Sequence, residues 1–126
     1  MPILSTKEEW LAEGDALDEL KRDEEALQAY EQALRLDPEF AVAYIKRGSV
    51  LDKLKRHKEA LQACEQAIKL NHNSAAAWKG KGNALWGLKR YQEALQAYEQ
   101  AIYLDPHYVK GYIGKGNVLR DIKRYE

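Results

Sequence analysis

The sequence predicts an all-α protein, a right-handed solenoid of stacked antiparallel helix pairs, and three observations support this prediction. The phrase EALQAYEQA at 25–33 returns unchanged at 93–101 and as EALQACEQA at 59–67, so successive copies are 34 residues apart. Apolar residues recur at helical spacing within each copy. β-branched residues are sparse and do not alternate with polar ones, which argues against strands. A fixed period of this length is typical of repeat architectures, in which stacked units share a continuous core.

The 34-residue period also holds outside the repeated phrase. Four sets of residues follow it, a glycine set, an aromatic set, a leucine set and an arginine set: Gly14, Gly48, Gly82, Gly116; Trp10, Tyr44, Trp78, Tyr112; Leu17, Leu51, Leu85, Leu119; Arg22, Arg56, Arg90, Arg124. Because Gly inside a helix costs about 0.5–1 kcal/mol relative to Ala, four glycines at one phase indicate a close helix–helix approach. We predict that Gly82 faces Ala94 of the following helix and that Ala101 allows contact with the next unit.

Each unit reads as helix, turn, helix. In residues 75–108, an apolar stripe at 78, 85 and 88 predicts the first helix, and one at 94, 95, 98, 101 and 102 predicts the second. Lys89–Tyr91 is the predicted turn between them. Asp105-Pro106 ends the second helix, because a residue before proline avoids the α region, and the aspartate can cap the next helix.

The two ends and the middle junction are also predicted. Ser5 or Thr6 can cap the first helix in a capping box with the glutamate three residues on. Asn71–Ser74 replaces the Asp-Pro junction with turn and N-cap residues. The last helix runs from Val109 to about Tyr125 and has no partner helix in the sequence, so we expect a fragment of a longer array.

These spacings resemble the tetratricopeptide repeat (TPR) family. The residues that carry the resemblance in one unit are Trp78, Gly82, Leu85, Ala94, Tyr98, Ala101 and Pro106. The resemblance divides residues 1–126, as a single domain, into repeats at 7–40, 41–74 and 75–108 and a partial repeat at 109–126. Cys64 replaces the aromatic residue of the second repeat, and charged residues replace the usual Leu at 13, 47, 81 and 115. We expect those charged side chains to lie over the edge of a binding groove.

The sequence offers little for catalysis, metal binding or a cofactor. Cys64 is the single cysteine, and the three histidines do not have metal-ligand spacing. The glycine-rich stretches at 80–83 and 111–116 fit no phosphate-binding motif and follow no strand. Cys64 occupies a core position, so a buried structural thiol is favoured over a nucleophile. We therefore predict a protein that is not an enzyme and has no cofactor.

Charge and hydropathy limit the partners. Twenty Lys and Arg balance twenty Asp and Glu, which argues against nucleic acid and anionic membranes as general partners. No apolar run is long enough to span a bilayer, and the start MPILSTKEEW lacks the features of a secretory signal. A free thiol is consistent with a reducing compartment, and we predict a cytoplasmic protein.

The resemblance implies that the first helices line a concave groove that binds a peptide or protein segment, which makes the protein an interaction scaffold or adaptor. Projection outward from the buried stripe gives Asp52 together with the thirteen predicted groove residues: Leu11, Asp15, Val42, Ile45, Lys46, Ser49, Lys79, Asn83, Trp86, Lys110, Ile113, Asn117 and Arg120. Amides suit a peptide backbone, amines suit carboxylates, and Trp86 is either an anchor or partly packed against neighbouring helices. TPR domains that clamp an acidic C-terminus use set groove positions, and four of these hold Leu11, Asp15, Ala76 and Gly80 here, so that clamp is not reproduced.

Two alternatives remain. Residues 1–26 carry three basic and nine acidic residues, a net of −6, and residues 109–126 carry five basic and two acidic, a net of +3. Ends of opposite charge could stack head to tail and form a homo-oligomer. The other alternative is a regulatory TPR fragment of a larger protein.

Overall fold

A computed structural model describes residues 4–125 of the chain; Met1–Ile3 and Glu126, which the predicted domain 1–126 includes, lie outside the described residues. Residues 4–125 form seven α-helices and no strand, which confirms the all-α prediction. The helices are α1 (Lys7–Glu19), α2 (Asp23–Leu36), α3 (Ala41–Lys53), α4 (His57–Leu70), α5 (Ala75–Gly87), α6 (Tyr91–Leu104) and α7 (Val109–Arg124).

The helices stack as three antiparallel pairs followed by α7, in a right-handed solenoid. Each helix packs against the next along the chain, and α3 and α5, and α5 and α7, also make contact. The first helices of the pairs therefore lie side by side. We call the surface formed by α1, α3, α5 and α7 the groove.

The turn inside each pair has the same backbone geometry. Lys21, Lys55 and Lys89 have φ values of 60°, 64° and 61°, in the left-handed region. The N–H of the next residue, as in Arg90, bonds back to the carbonyl five residues earlier, that of Leu85, at 2.9 Å. This is the helix-ending motif in which a left-handed residue satisfies the last carbonyls of the helix. The predicted turn at 89–91 is one residue too long, because α6 already begins at Tyr91.

The junction between pairs differs from prediction at its aspartate. The Asp105 carboxylate accepts a hydrogen bond from the N–H of His107 at 3.1 Å, which closes a turn within the junction. Helix α7 begins only after Tyr108, whose side chain makes no capping bond. The prediction that Asp105 caps the next helix is therefore wrong.

Side-chain caps are present at two other helix starts, as predicted. The Thr6 hydroxyl accepts from the N–H of Glu9 at 3.1 Å, and the Glu9 carboxylate accepts from the N–H of Thr6 at 3.1 Å, so the capping box is confirmed. Ser74 caps α5 by accepting from the N–H of Ala77 at 3.2 Å. These bonds satisfy backbone donors that have no partner inside the helix.

The core is formed by the apolar residues of the repeated phrase, by buried apolar residues of the first helices, and by the glycines that face the phrase. Tyr30 and Tyr98 are fully buried, and Cys64 is 1 % exposed at the equivalent position of the middle pair. A Cβ placed on Gly82 would lie 2.7 Å from the Tyr98 ring. The glycine thus makes room for that ring. The predicted approach of Gly82 to Ala94 stays a prediction, and at the equivalent position of the middle pair a Cβ on Gly48 would lie 3.3 Å from the carbonyl oxygen of Ala60.

Candidate functional site

The thirteen predicted groove residues all lie on the four helices that form the groove. Helix α1 carries Leu11 and Asp15; α3 carries Val42, Ile45, Lys46 and Ser49; α5 carries Lys79, Asn83 and Trp86; α7 carries Lys110, Ile113, Asn117 and Arg120. They do not form one cluster.

Four of these residues meet in a cavity between α3 and α5, which we call the central pocket. Ile45, Ser49, Lys79 and Asn83 line it, and its volume is about 150 Å³. Five further residues complete its walls, and among them the sequence reasoning did not place Gly48 and Lys53 in the groove: Gly48, Asp52, Lys53, Ala76 and Gly80. The absence of an aromatic residue at position 64 was the sequence signal that could have located this pocket.

The side chain at the position of Cys64 determines whether such a pocket exists. In the first pair the Tyr30 hydroxyl donates to the Asp15 carboxylate at 2.6 Å, and in the third pair the Tyr98 hydroxyl donates to the Asn83 amide oxygen. Ser49 has the same repeat position as those two acceptors and lines the central pocket. The pocket therefore lies where a tyrosine at position 64 would place the end of its ring.

Cys64 closes the inner end of the central pocket without entering it. A Cβ on Gly48 or on Gly80 would lie 2.7 Å from the Cys64 Sγ. Burial raises the pKa of this thiol to about 12. Because the thiolate is the reactive form, this pKa fits the predicted structural thiol and not a nucleophile.

Lys79 is the cation of the central pocket that has no carboxylate partner. Lys46 lies 3.3 Å from the Asp15 carboxylate and Lys53 lies 2.7 Å from the Asp18 carboxylate. Lys79 makes no ion pair within residues 4–125. Burial lowers its pKa, and the nearby positive charge of Lys110 lowers it further. An anionic group that entered the pocket would offset both the burial of the Lys79 amine and its repulsion by Lys110.

Trp86 lies beside the central pocket and is partly committed to the fold. Its indole N–H donates to the Asp121 carboxylate at 2.6 Å, and its ring packs against the core formed by α5, α6 and α7. It also borders a more open cavity of about 350 Å³ with Asn83 and His57. The structure thus has the packed arrangement of Trp86 that the sequence left as an alternative to an anchor.

The outer parts of the groove hold the remaining predicted residues. Leu11 packs against the core at the α1 end, where Asp15 is already bonded to Tyr30 and Lys46. At the α7 end Ile113 is 58 % exposed. These residues extend the groove on both sides of the central pocket but do not line it.

Three of the four charged residues at the positions usually held by Leu point away from the groove. Arg47 lies 3.8 Å from Glu31, Lys81 lies 3.6 Å from Glu65, and Lys115 lies 3.4 Å from Glu99. Each pair joins a first helix to the second helix of the preceding pair. The prediction that these side chains lie over the groove edge is therefore wrong, and the polarity of the groove does not depend on them.

No metal or membrane site emerges from the part of the chain that is described. Residues 4–125 contain no group of three His, Cys, Asp or Glu side chains that could hold a metal ion. None of their helices is both long enough and apolar enough to cross a membrane.

Comparison with protein families gives two matches. The family model described as "Tetratricopeptide repeat" matches residues 41–74 and 75–108, and one described as "TPR repeat" matches residues 14–55. Comparison with curated proteins gives no match.

Several solved structures have a similar fold. The Sgt2 TPR domain from Aspergillus fumigatus is 23 % identical with a TM-score of 0.90, over 94 % of this chain and 80 % of that one. The first TPR of Spaghetti (RPAP3) bound to the HSP90 peptide SRMEEVD is 22 % identical with a TM-score of 0.88, over 94 % of both chains. The second TPR domain of human RPAP3, in complex with the HSP70 peptide SGPTIEEVD, is 22 % identical with a TM-score of 0.81, over 89 % of this chain and 97 % of that one.

Proposed function

Since the chain belongs to the tetratricopeptide repeat family, we propose that it is a non-enzymatic protein–protein interaction module that binds a peptide or protein segment in the groove. In this role it acts as a scaffold or adaptor. The fully buried free thiol of Cys64 is consistent with the cytoplasm as its compartment.

The observation that carries this proposal is the central pocket with its unpaired Lys79. Lys79 is half-buried and makes no ion pair within the described residues, and a segment with a carboxylate would stabilise its charged amine. Ser49 on α3 and Asn83 on α5 supply a hydroxyl and an amide to the lining of the pocket. Hydrogen-bonding groups beside an apolar floor suit a peptide, whose backbone needs partners while its side chains need contact area.

Two of the similar structures contain a bound peptide, which supports a peptide ligand for this chain without identifying it. The peptides in those complexes, SRMEEVD and SGPTIEEVD, both end in acidic residues. In this chain Leu11, Asp15, Ala76 and Gly80 replace four residues of the set that clamps such an end in related domains. We therefore propose a segment of another sequence, and not those two peptides, as the ligand.

Selection of random twelve-residue peptides on the purified protein tests the proposal. The selected peptides should lose about tenfold or more in affinity with the double variant Trp86→Ala, Lys79→Glu, because both a contact surface and the sign of a pocket charge change. Lys69→Glu, an exposed lysine on α4 outside the groove, is the matched charge control and should bind like the wild type. Peptides that bind the double variant unchanged would place the site elsewhere.

A second candidate function, self-assembly through the two ends, is favoured by the outer face of α7. Leu119 is 45 % exposed, whereas Leu85 at the equivalent position of α5 is 1 % exposed. A Cβ on Gly116 would meet nothing within 4 Å, in contrast to Gly82. With the acidic α1 end and the basic α7 end, this open apolar face suits head-to-tail contact between copies.

Sedimentation velocity at high protein concentration and low salt tests self-assembly. If the second candidate holds, the wild type should form higher species that added salt and Leu119→Glu both reduce, because the contact would depend on charge and on the apolar face. A monomer under these conditions would eliminate the second candidate and leave the groove proposal untouched.

A further inference from the structure

We infer that the central pocket is a specificity subsite for one acidic side chain of the bound segment, and that it is open because position 64 holds cysteine where the other two pairs hold tyrosine. This inference rests on the proposed function of the groove. It specifies which kind of side chain the ligand must have and which core residue leaves space for that side chain.

The third pair shows how a tyrosine fills the same space. Tyr98 enters from α6 between Gly82 and Gly114, and a Cβ on either glycine would collide with its ring. Its hydroxyl then reaches Asn83 on the groove side. The aromatic ring therefore spans the distance from the second helix to the groove.

Two glycines also flank Cys64 of the middle pair, but the cysteine side chain is shorter than that of a tyrosine. Gly48 and Gly80 flank Cys64 as Gly82 and Gly114 flank Tyr98, at the same repeat positions. Cys64 ends at Sγ, so the space beyond it is not filled by the core. Ser49, the equivalent of Asn83, lines that space without a phenol hydroxyl beside it.

The volume and the walls of the pocket determine which ligand group it takes. About 150 Å³ is well below the roughly 300–1,000 Å³ of typical small-molecule pockets, so one side chain is the fitting occupant. Lys53 is paired with Asp18, and the Asp52 carboxylate lies 2.6 Å from the His57 ring. Lys79 remains as the cation without a partner, which favours a glutamate or aspartate side chain over a neutral or basic one.

A capped tripeptide pair provides a direct probe. Acetyl-Gly-Glu-Gly-amide and acetyl-Gly-Gln-Gly-amide are titrated into ¹⁵N-labelled protein, and amide shifts are followed by NMR. The glutamate peptide should shift the amides of Ser49, Lys79 and Gly80 saturably, and the glutamine peptide should bind about tenfold more weakly, since it lacks the charge. Absence of a saturable shift at these residues, or equal binding of the two peptides, would overturn the inference.

Two substitutions at position 64 distinguish binding in the pocket from binding in the rest of the groove. Cys64→Tyr fills the pocket with the side chain that the flanking glycines accommodate elsewhere, and it should abolish the selective shifts. Cys64→Ala leaves the pocket open and should retain them. Glutamate-selective shifts that persist in Cys64→Tyr would show that the subsite lies elsewhere.

A substitution outside the core tests the subsite without depending on the correct folding of Cys64→Tyr. Ala76→Glu places a carboxylate one helical turn before Lys79, where it can pair with the amine and compete with the ligand. It should weaken the glutamate tripeptide about tenfold, whereas Ala76→Gln, its neutral control, should change the affinity little. Equal effects of the two variants would contradict an ionic subsite.

The result also distinguishes this inference from the proposed function. Twelve-residue peptides that bind wild type and Cys64→Tyr equally, but not the Trp86→Ala, Lys79→Glu variant, would confirm groove binding and refute the acidic subsite. Failure to select any groove-dependent peptide would refute the proposed function itself.

Discussion

The middle and third helix pairs have helices of the same lengths, and two glycines flank the same core position in each, but the side chain at that position differs. Tyr98 fills the space between α6 and the groove and donates a hydrogen bond to Asn83, whereas Cys64 fills only the inner part of the equivalent space. The central pocket occupies the remainder. The comparison teaches that a substitution in the core of a repeat protein, on a helix that does not itself face the groove, can leave a cavity that opens on the groove.

The difference also assigns two roles to one repeated position. In the first and third pairs the position contributes a large buried aromatic area and a hydrogen bond between helices. In the middle pair Cys64 contributes neither. Ser49, at the position where the other pairs have an acceptor bonded to tyrosine, is exposed. We expect the third pair to gain stability from this position and the middle pair to gain a place for a ligand.

Exchange of the two side chains should produce the largest effect. Tyr98→Cys removes most of a fully buried ring and leaves Asn83 without its donor, so the free energy of unfolding should fall by about 3 kcal/mol. The melting temperature should fall by roughly 10 °C for a chain of this size. Thermal unfolding followed by circular dichroism, with urea unfolding as a second method, measures the change.

Cys64→Tyr is the reverse exchange and the control for that measurement. Because Gly48 and Gly80 leave the same room that Gly82 and Gly114 leave, this variant should be at least as stable as the wild type. A loss similar to that of Tyr98→Cys would mean that the middle pair cannot accommodate the ring, and the equivalence of the two positions would be refuted.

The fold was predictable from sequence because its determinants repeat. The 34-residue period, the phrase EALQAYEQA and the helix-ending Asp105-Pro106 indicated the paired helices and their limits within a residue or two. Local hydrogen-bonding chemistry was also readable, as in the capping box of Thr6 and Glu9. Each of these features depends on neighbours in sequence or on a strict repeat, so no tertiary information was needed.

The site was only partly predictable, because its determinants lie on different helices. Helical projection placed the candidate residues on the correct four helices, but it could not show that Ile45, Ser49, Lys79 and Asn83 share one cavity. It did not indicate that Gly82 faces the Tyr98 ring, since ring direction depends on the rotamer of Tyr98. The replacement of the aromatic residue by Cys64 was visible in the sequence. Its consequence, an unfilled space between α3 and α5, was not.

The glycines that face the second helices offer a smaller effect with an internal control. Gly82→Leu drives a side chain into the Tyr98 ring, and overpacking of this kind costs about 1–3 kcal/mol, so the melting temperature should fall by several degrees. Gly116→Leu has the same sequence change in an open position and should be neutral or stabilising by about 0.5–1 kcal/mol, because a helical glycine is replaced. Equal melting temperatures for the two variants would refute the packing role of Gly82.

The pH dependence of stability at Cys64 should give the smallest effect, and it tests whether water in the central pocket reaches the thiol. The folded protein raises the pKa of Cys64 from 9.0 to about 12. The contribution of the protonated thiol is therefore complete below pH 9 and is lost as the pH rises from 9 towards 12, because the unfolded chain then releases its proton first. At pH 10 the loss should be about 1 kcal/mol relative to pH 8. Lysine and tyrosine titrations affect wild type and Cys64→Ala alike, so the difference between their unfolding free energies at the two pH values isolates the thiol.

A difference in unfolding free energy that does not change with pH would mean that the thiolate is solvated in the folded state. The pocket would then extend to Sγ. The middle pair would differ from the third by a water-filled channel through its core, and not by a closed subsite.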